Sequence, residues 1–457
     1  MQAPRNGALF FIAEGITWAY VEKIIGRQGL SEVFKEILPN GLRVVAWPMH
    51  GIDTASIIVL TKAGRRYEDQ KTNGLTHFLE HMFARGGDRY TSKPAVSAAI
   101  EGVGGIRNAF TNSEELASYA TVPADKLSTV FDVISDIILT PKFRQADVVV
   151  ERGAVAQEIA RKLDNPDMPI QDAFSQLWWG DQPLAWDTLG TLENISGFSR
   201  RDCLSFFRAY CIAPSTVIGV AGNVDPHRIA ELALQYFGGM QTGTPPILQK
   251  AFRNPNSDSS QSIFVDQRAA QDRLFLGIEA PNRLDLRYPG AQILCAILGG
   301  GSASRLFIEI RHKRGWAYGV GSSYWVSHDY GIIACTGGIA QGKVVDAIHV
   351  CIKELKNLAH GHITQDDFER AQNYVCGGMA RGAESSFNVA HSLAAWELRF
   401  GGARSPVVFR DEIRNVTLED VRRLAEELFT PEKYALAVTG PQTIAEADLT
   451  GALYSRK

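Results

Sequence analysis

His77, Glu80 and His81 stand in the run GLTHFLEHMFARGG, and their types and spacing are those of a hydrolytic metal site. On a helix, positions i and i+4 lie one above the other, so His77 and His81 can grip one ion while Glu80 shares their face. Zinc takes neutral imidazole nitrogens as ligands. A carboxylate held near it but not bound to it can take a proton from a water at the metal. The pattern implies zinc-dependent hydrolysis of a peptide. Phe78, Leu79 and Met82 could by themselves make the segment an ordinary core helix. Its flanks favour the functional reading, with the strand-like run SIIVL at 56–60 before it and the glycine break Gly86 and Gly87 after it. Two His and a Glu buried unpaired among apolar neighbours would also be costly.

Two histidines need a third protein ligand, usually a carboxylate, with the fourth position left open. In ADVVVERGAVAQEIARKLDNP, Glu151 and Glu158 are two helical turns apart and share a face with Val155. Glu158 lies 77 residues after His81. A plain amphipathic helix would also carry glutamates at this spacing.

HxxEH is the inverted form of HExxH. With the glutamate pair downstream, the chain resembles the inverted-motif zinc peptidases that include pitrilysin, insulin-degrading enzyme and the mitochondrial processing peptidase. The resemblance implies Zn2+, one per chain, on His77, His81 and Glu158, with Glu80 as catalytic base and Glu151 in support. In NAFTNSEELASYATV at 108–122, Asn108 and Ala109 look like the family's edge strand, which pairs with substrate backbone. Arg311 and Tyr318, in GGGSASRLFIEIRHKRGWAYGVGSS, match an arginine and tyrosine that relatives aim at substrate backbone and oxyanion. The glycine run 299–301 lacks the Lys-Ser or Lys-Thr of a phosphate loop and reads as a turn before a helix.

The elements that must position these residues repeat along the chain. FSRRDCLSFFRAYCIAPSTVIGVAGNV from Phe198 matches VTLEDVRRLAEELFTPEKYALAVTGPQ from Val416: a capping Ser199 or Thr417, a helix, a proline, then an apolar strand ending at Gly222 or Gly440. FRQADVVVERGAV and ITQDDFERAQNYV form a second pair. The chain therefore reads as a duplication joined in the polar stretch 242–260. Residues 1–34 form an N-terminal extension, 35–242 the zinc-binding domain, and 243–457 a homologous domain carrying the Arg/Tyr pair. Both are expected to be α+β, an antiparallel-rich sheet with helices packed on one face. SASRLFIEI is taken as the second half's counterpart of the metal motif; without His it cannot bind zinc.

Composition sets outer bounds. The 457 residues, 45% apolar, exceed one core. A net charge of −3 gives no pull toward nucleic acid or anionic membrane. Six scattered cysteines without a CxxC favour reduced core thiols and a cytoplasmic location over export or organelle import. No run reaches the roughly 20 apolar residues of a membrane span. At this length the chain resembles the short, processing-peptidase-like branch, in which two chains pair to enclose a chamber. That implies an endopeptidase acting on extended peptides or small unfolded polypeptides as a homodimer, or as a heterodimer with a homologous chain. The alternative is a structural subunit that keeps the fold without the chemistry.

Overall fold

A computed structural model describes residues 33–165, 168–254, 261–267, 269–441 and 444–454. Nearly all of the expected extension 1–34 and residues 255–260 of the expected join lie outside the described residues.

The first sheet contains β1 (Phe34–Ile37), β2 (Arg43–Pro48), β3 (Thr54–Lys62), β4 (Ile106–Thr111), β5 (Glu115–Pro123) and β6 (Thr216–Gly222), in the order β1-β2-β6-β3-β5-β4. The second contains β7 (Gln261–Asp266), β8 (Asp272–Glu279), β9 (Ala317–Val326), β10 (Gly331–Ile339) and β11 (Tyr434–Gly440), in the order β7-β11-β8-β10-β9. Without β1 the two orders are the same. Each sheet has one parallel pair, β2 with β6 and β7 with β11, and is otherwise antiparallel. The repeated segments fold alike. Capping boxes Ser199/Asp202 and Thr417/Asp420 open the helices Arg200–Tyr210 and Leu418–Leu428, each leading into a fully buried strand, β6 or β11.

Strand order corrects one correspondence. After β3 come helices Leu75–Phe83 and Lys93–Glu101 before β4; after β8 come helix Tyr288–Gly299 and the π-helical turn Phe307–His312 before β9. The counterpart of the HxxEH helix is therefore Tyr288–Gly299, and SASRLFIEI matches Lys93–Glu101 instead. YPGAQILCAILG has no His or carboxylate, so the second half still lacks the ligands, on different residues. The glycine run closes that helix. A Cβ on Gly299 would stand 2.0 Å from the Ser322 nitrogen, so the helix end abuts β9 closely enough to require glycine.

Each half's own helices cover one face of its sheet, and the other face is covered too. Val45, Ile58, Leu60 and Val217 of the first sheet pack on Val389, Ala390 and Leu393 of helix Ser386–Phe400, from the second half. Reciprocally, Phe275, Ile332, Ala334 and Ala437 of the second sheet pack on Ile170, Phe174 and Trp178 of helix Met168–Trp179, from the first half. Unbroken apolar runs such as SIIVL are what a strand buried on both faces requires. Small residues admit the lent helices: a Cβ on Gly277 would lie 2.2 Å from the Phe174 ring, and one on Gly219 would lie 2.5 Å from the Ala390 carbonyl oxygen. Gly277→Val and Gly219→Val should each lower the urea midpoint of unfolding, since overpacking costs about 1–3 kcal/mol. Unchanged midpoints in both variants would show that these contacts do not hold the halves together.

Ion pairs also join the halves. The guanidinium of Arg66, 1% exposed, donates to Glu114 in the first half and to both carboxylate oxygens of Asp329 in the second. Arg399 of the lent helix reaches Glu114 and Glu115. All six cysteines are buried and unpaired. No helix among the described residues is long and apolar enough to cross a membrane.

Candidate metal centre

Helix Leu75–Phe83 buries Leu75, Phe78, Leu79, Met82 and Phe83 in a cluster with Phe143, Phe198 and Phe206. Helix Gln145–Leu163 sends Val148, Val155 and Ile159 into the same cluster. The apolar faces thus dock the two helices and oppose their polar residues. The ligand-capable atoms of His77, His81 and Glu158 lie within 4.8 Å of one another, with Glu158 Oε2 3.5 Å from both His77 Nε2 and His81 Nε2. With zinc–ligand bonds of roughly 2.0–2.2 Å, tetrahedral ligand atoms sit about 3.4 Å apart, so this donor set fits zinc.

Electrostatics suits the same ion. His77 is 6% exposed, and burial, together with neighbouring His81, pushes its pKa down to about 4, so its lone pair is free at neutral pH. Burial works against a charged His81 as well. The Glu151 hydrogen bond and the surrounding carboxylates outweigh it and leave His81 above the ordinary range. Glu151 Oε2 lies 3.0 Å from His81 Nδ1, and its other oxygen accepts from Arg85 Nε. A proton on Nδ1 donating to Glu151 turns the His81 Nε2 lone pair toward Glu158 and His77. Burial penalises the Glu151 carboxylate, but the bonds from His81 and Arg85 prevail and hold it below its usual range.

Glu80 is half-buried beside the three. Burial raises its pKa, against the opposing effects of the Thr111 hydroxyl and His81. Thr111 Oγ1 donates to Glu80 Oε2 at 2.7 Å, and the half-buried Arg107 guanidinium adds its charge. Both come from β4, on the face they share with Ala109. Period-two alternation through Arg107, Ala109 and Thr111 is the sequence signal for that face, and the i+4 step from His81 is the signal for Arg85.

β4 is one edge of the first sheet among the described residues, β1 being the other. Asn108 is exposed, and its Oδ1 accepts from the Ala109 N–H at 2.9 Å. Arg311 and Tyr318 are brought to each other: the Arg311 guanidinium, on the π-helical turn, lies 4.6 Å from the Tyr318 ring centroid and donates to the Tyr318 carbonyl. Tyr318 is 80% exposed, on β9, one edge strand of the second sheet among the described residues. Among the described residues, no hydrogen bond, ion pair or ring contact links this pair to His77, Glu80, His81 or Glu158. Glu114, His328 and Asp329 also converge, but the Arg66 guanidinium already neutralises that cluster.

Two family models match the chain, "Insulinase (Peptidase family M16)" over residues 43–192 and "Peptidase M16 inactive domain" over residues 197–375. A zinc protease of Streptomyces coelicolor is 31% identical over 422 residues, 92% of each chain. One of Mycobacterium leprae is 32% identical, covering 90% of this chain and 92% of the relative. Among solved structures, a protease from Helicobacter pylori superposes with TM-score 0.81 at 20% identity, covering 90% of this chain and 99% of that one. A chain in complex III2 of Candida albicans superposes with TM-score 0.80 at 17% identity, covering 92% and 99%. These two likenesses concern the fold alone.

Proposed function

The chain belongs to the M16 family of peptidases, whose matched relatives are named zinc proteases, and on that premise we propose that it is a zinc-dependent endopeptidase. The observation that carries the proposal is the convergence of His77 Nε2, His81 Nε2 and Glu158 Oε2 beside a second carboxylate, Glu80, which Thr111 holds at one oxygen. Bound zinc, one ion per chain, supplies Lewis acidity toward the scissile carbonyl and lowers the pKa of water. Glu80 takes the proton of the attacking water and passes it to the leaving amine; its burial-raised pKa strengthens it as the base of the first transfer. Thr111 holds the Glu80 carboxylate at one oxygen. Glu151 orients His81. An extended substrate adds to the β4 edge at Asn108 and Ala109.

Arg311 and Tyr318 complete the site from a second chain, across a chamber that admits only extended or small unfolded polypeptides. What supports this is the exposure of Tyr318 and the separation of the pair from the metal residues of its own chain. A homodimer is the simplest assembly, with a homologous partner chain as the other possibility.

The purified full chain should carry about one zinc, cleave a quenched extended peptide, lose cleavage on chelation and regain it when zinc is restored. The fold shared with a chain of complex III2 supports a second reading, a structural subunit. A chain that binds no zinc and cleaves no peptide would overturn the first reading and leave the second.

A further inference from the structure

We infer that Glu68 is a positioning residue for the zinc ligands, acting through the amino terminus of the helix that carries them. This rests on the zinc reading of His77, His81 and Glu158. The first N–H groups of a helix have no partner within it, and a side chain at the N-cap ordinarily accepts from one of them. Here the N-cap is Gly74, with a left-handed φ of 94° and no side-chain cap. A capping side chain cannot be housed there, because a Cβ on Gly74 would stand 2.7 Å from both Gly190 Cα and the Leu189 carbonyl oxygen. The chain places the cap six residues upstream.

Glu68, 1% exposed, folds back beneath the helix end. Its Oε1 accepts from the Thr76 N–H at 2.7 Å, and its Oε2 accepts from the Gly74 N–H at 3.0 Å and from Asn73 Nδ2 at 3.3 Å. Among the described residues, no Lys, Arg or His forms a salt bridge with this carboxylate. A buried carboxylate without such a partner is costly, and burial raises its pKa against these hydrogen bonds; the partial positive charge of the helix amino terminus, with the nearby Arg65 guanidinium, offsets part of that cost. Thr76 directly precedes His77. Fixing the Thr76 amide therefore fixes the rotation and height of the first turn, and with them where His77 Nε2 stands relative to His81 and Glu158. Glu68 touches none of the three ligands, so its effect passes through the backbone.

The full-length chain with Glu68→Gln provides the test, because the amide keeps one acceptor but loses the charge and turns a donor toward the helix end. Zinc affinity by chelator competition should fall roughly 10- to 100-fold, the range seen when groups supporting metal ligands are removed. The visible spectrum of the cobalt(II)-loaded chain should change, while far-ultraviolet circular dichroism does not. A folded Glu68→Gln chain with wild-type zinc affinity and an unaltered cobalt spectrum overturns the inference. Should that variant not fold, hydrogen exchange in the zinc-free wild-type chain decides: slow exchange of the Gly74 and Thr76 amides supports the cap, and rapid exchange overturns it. Wild-type chain that takes up no zinc at all overturns the proposed function itself, a different result from wild-type affinity in Glu68→Gln.

Discussion

Glu80→Gln is expected to keep about one zinc per chain while peptide cleavage falls by at least about 10²-fold, the typical loss when a general base is removed. On the transition-state scale that is about 3 kcal/mol or more. The amide is nearly isosteric and still accepts from Thr111 Oγ1, so the helix and the three ligands keep their places. What disappears is the group that takes the proton. His77→Ala, His81→Ala and Glu158→Gln should behave in the opposite way and release the metal, since three protein ligands are the usual complement of a catalytic zinc. Metal content by atomic absorption, beside the rate on a quenched peptide, separates the two classes. Zinc lost together with activity in Glu80→Gln would make Glu80 a ligand. Full zinc and activity in Glu158→Gln would move the third ligand elsewhere, first to Glu151, which already contacts His81.

The second large effect is a recovery of activity. Tyr318→Phe should be nearly inactive, because losing one donor to a developing oxyanion typically costs about 10²–10³-fold. Glu80→Gln is nearly inactive for the separate reason above. Mixed after subunit exchange, the two should regain activity toward half of wild type per mixed dimer. In such a dimer one of the two sites combines the intact Glu80 and zinc ligands of the Tyr318→Phe chain with the intact Tyr318 of the other. The expectation follows from the exposure of Tyr318 and from the lack of contact between the Arg311 and Tyr318 pair and the metal residues within one chain. Exchange demonstrated by labelled subunits, with no activity regained, would mean that the pair acts within its own chain or meets a different partner.

Local periodicity makes much of this protein legible in its sequence. His77, Glu80 and His81 fall on one helix face because the i, i+3 and i+4 relations are properties of the helix itself. The same holds for Glu151 and Glu158, two turns apart on helix Gln145–Leu163. The duplication was legible too, because the capping boxes at Ser199 and Thr417, and the strands ending at Gly222 and Gly440, are each written in contiguous residues. Counterparts without such local marks are not legible in this way. SASRLFIEI, beside the glycine run, invites pairing with the HxxEH helix, but strand order pairs it with Lys93–Glu101.

Relations between distant segments belonged to the tertiary structure alone. No pattern in the sequence tells helix Met168–Trp179 to cover the second sheet, or Ser386–Phe400 the first; an apolar face specifies burial but not against what. Thr111 meets Glu80 only because β4 closes beside the metal helix, and Glu68 caps that helix only because the chain folds back where Gly74 and Gly190 touch. Spacing along the chain therefore determined which residues could share a metal. The packing of two helices through Phe78, Leu79, Val155 and Ile159 decided how near their ligand atoms come, since that distance depends on side-chain volumes meeting across an interface that no single segment contains.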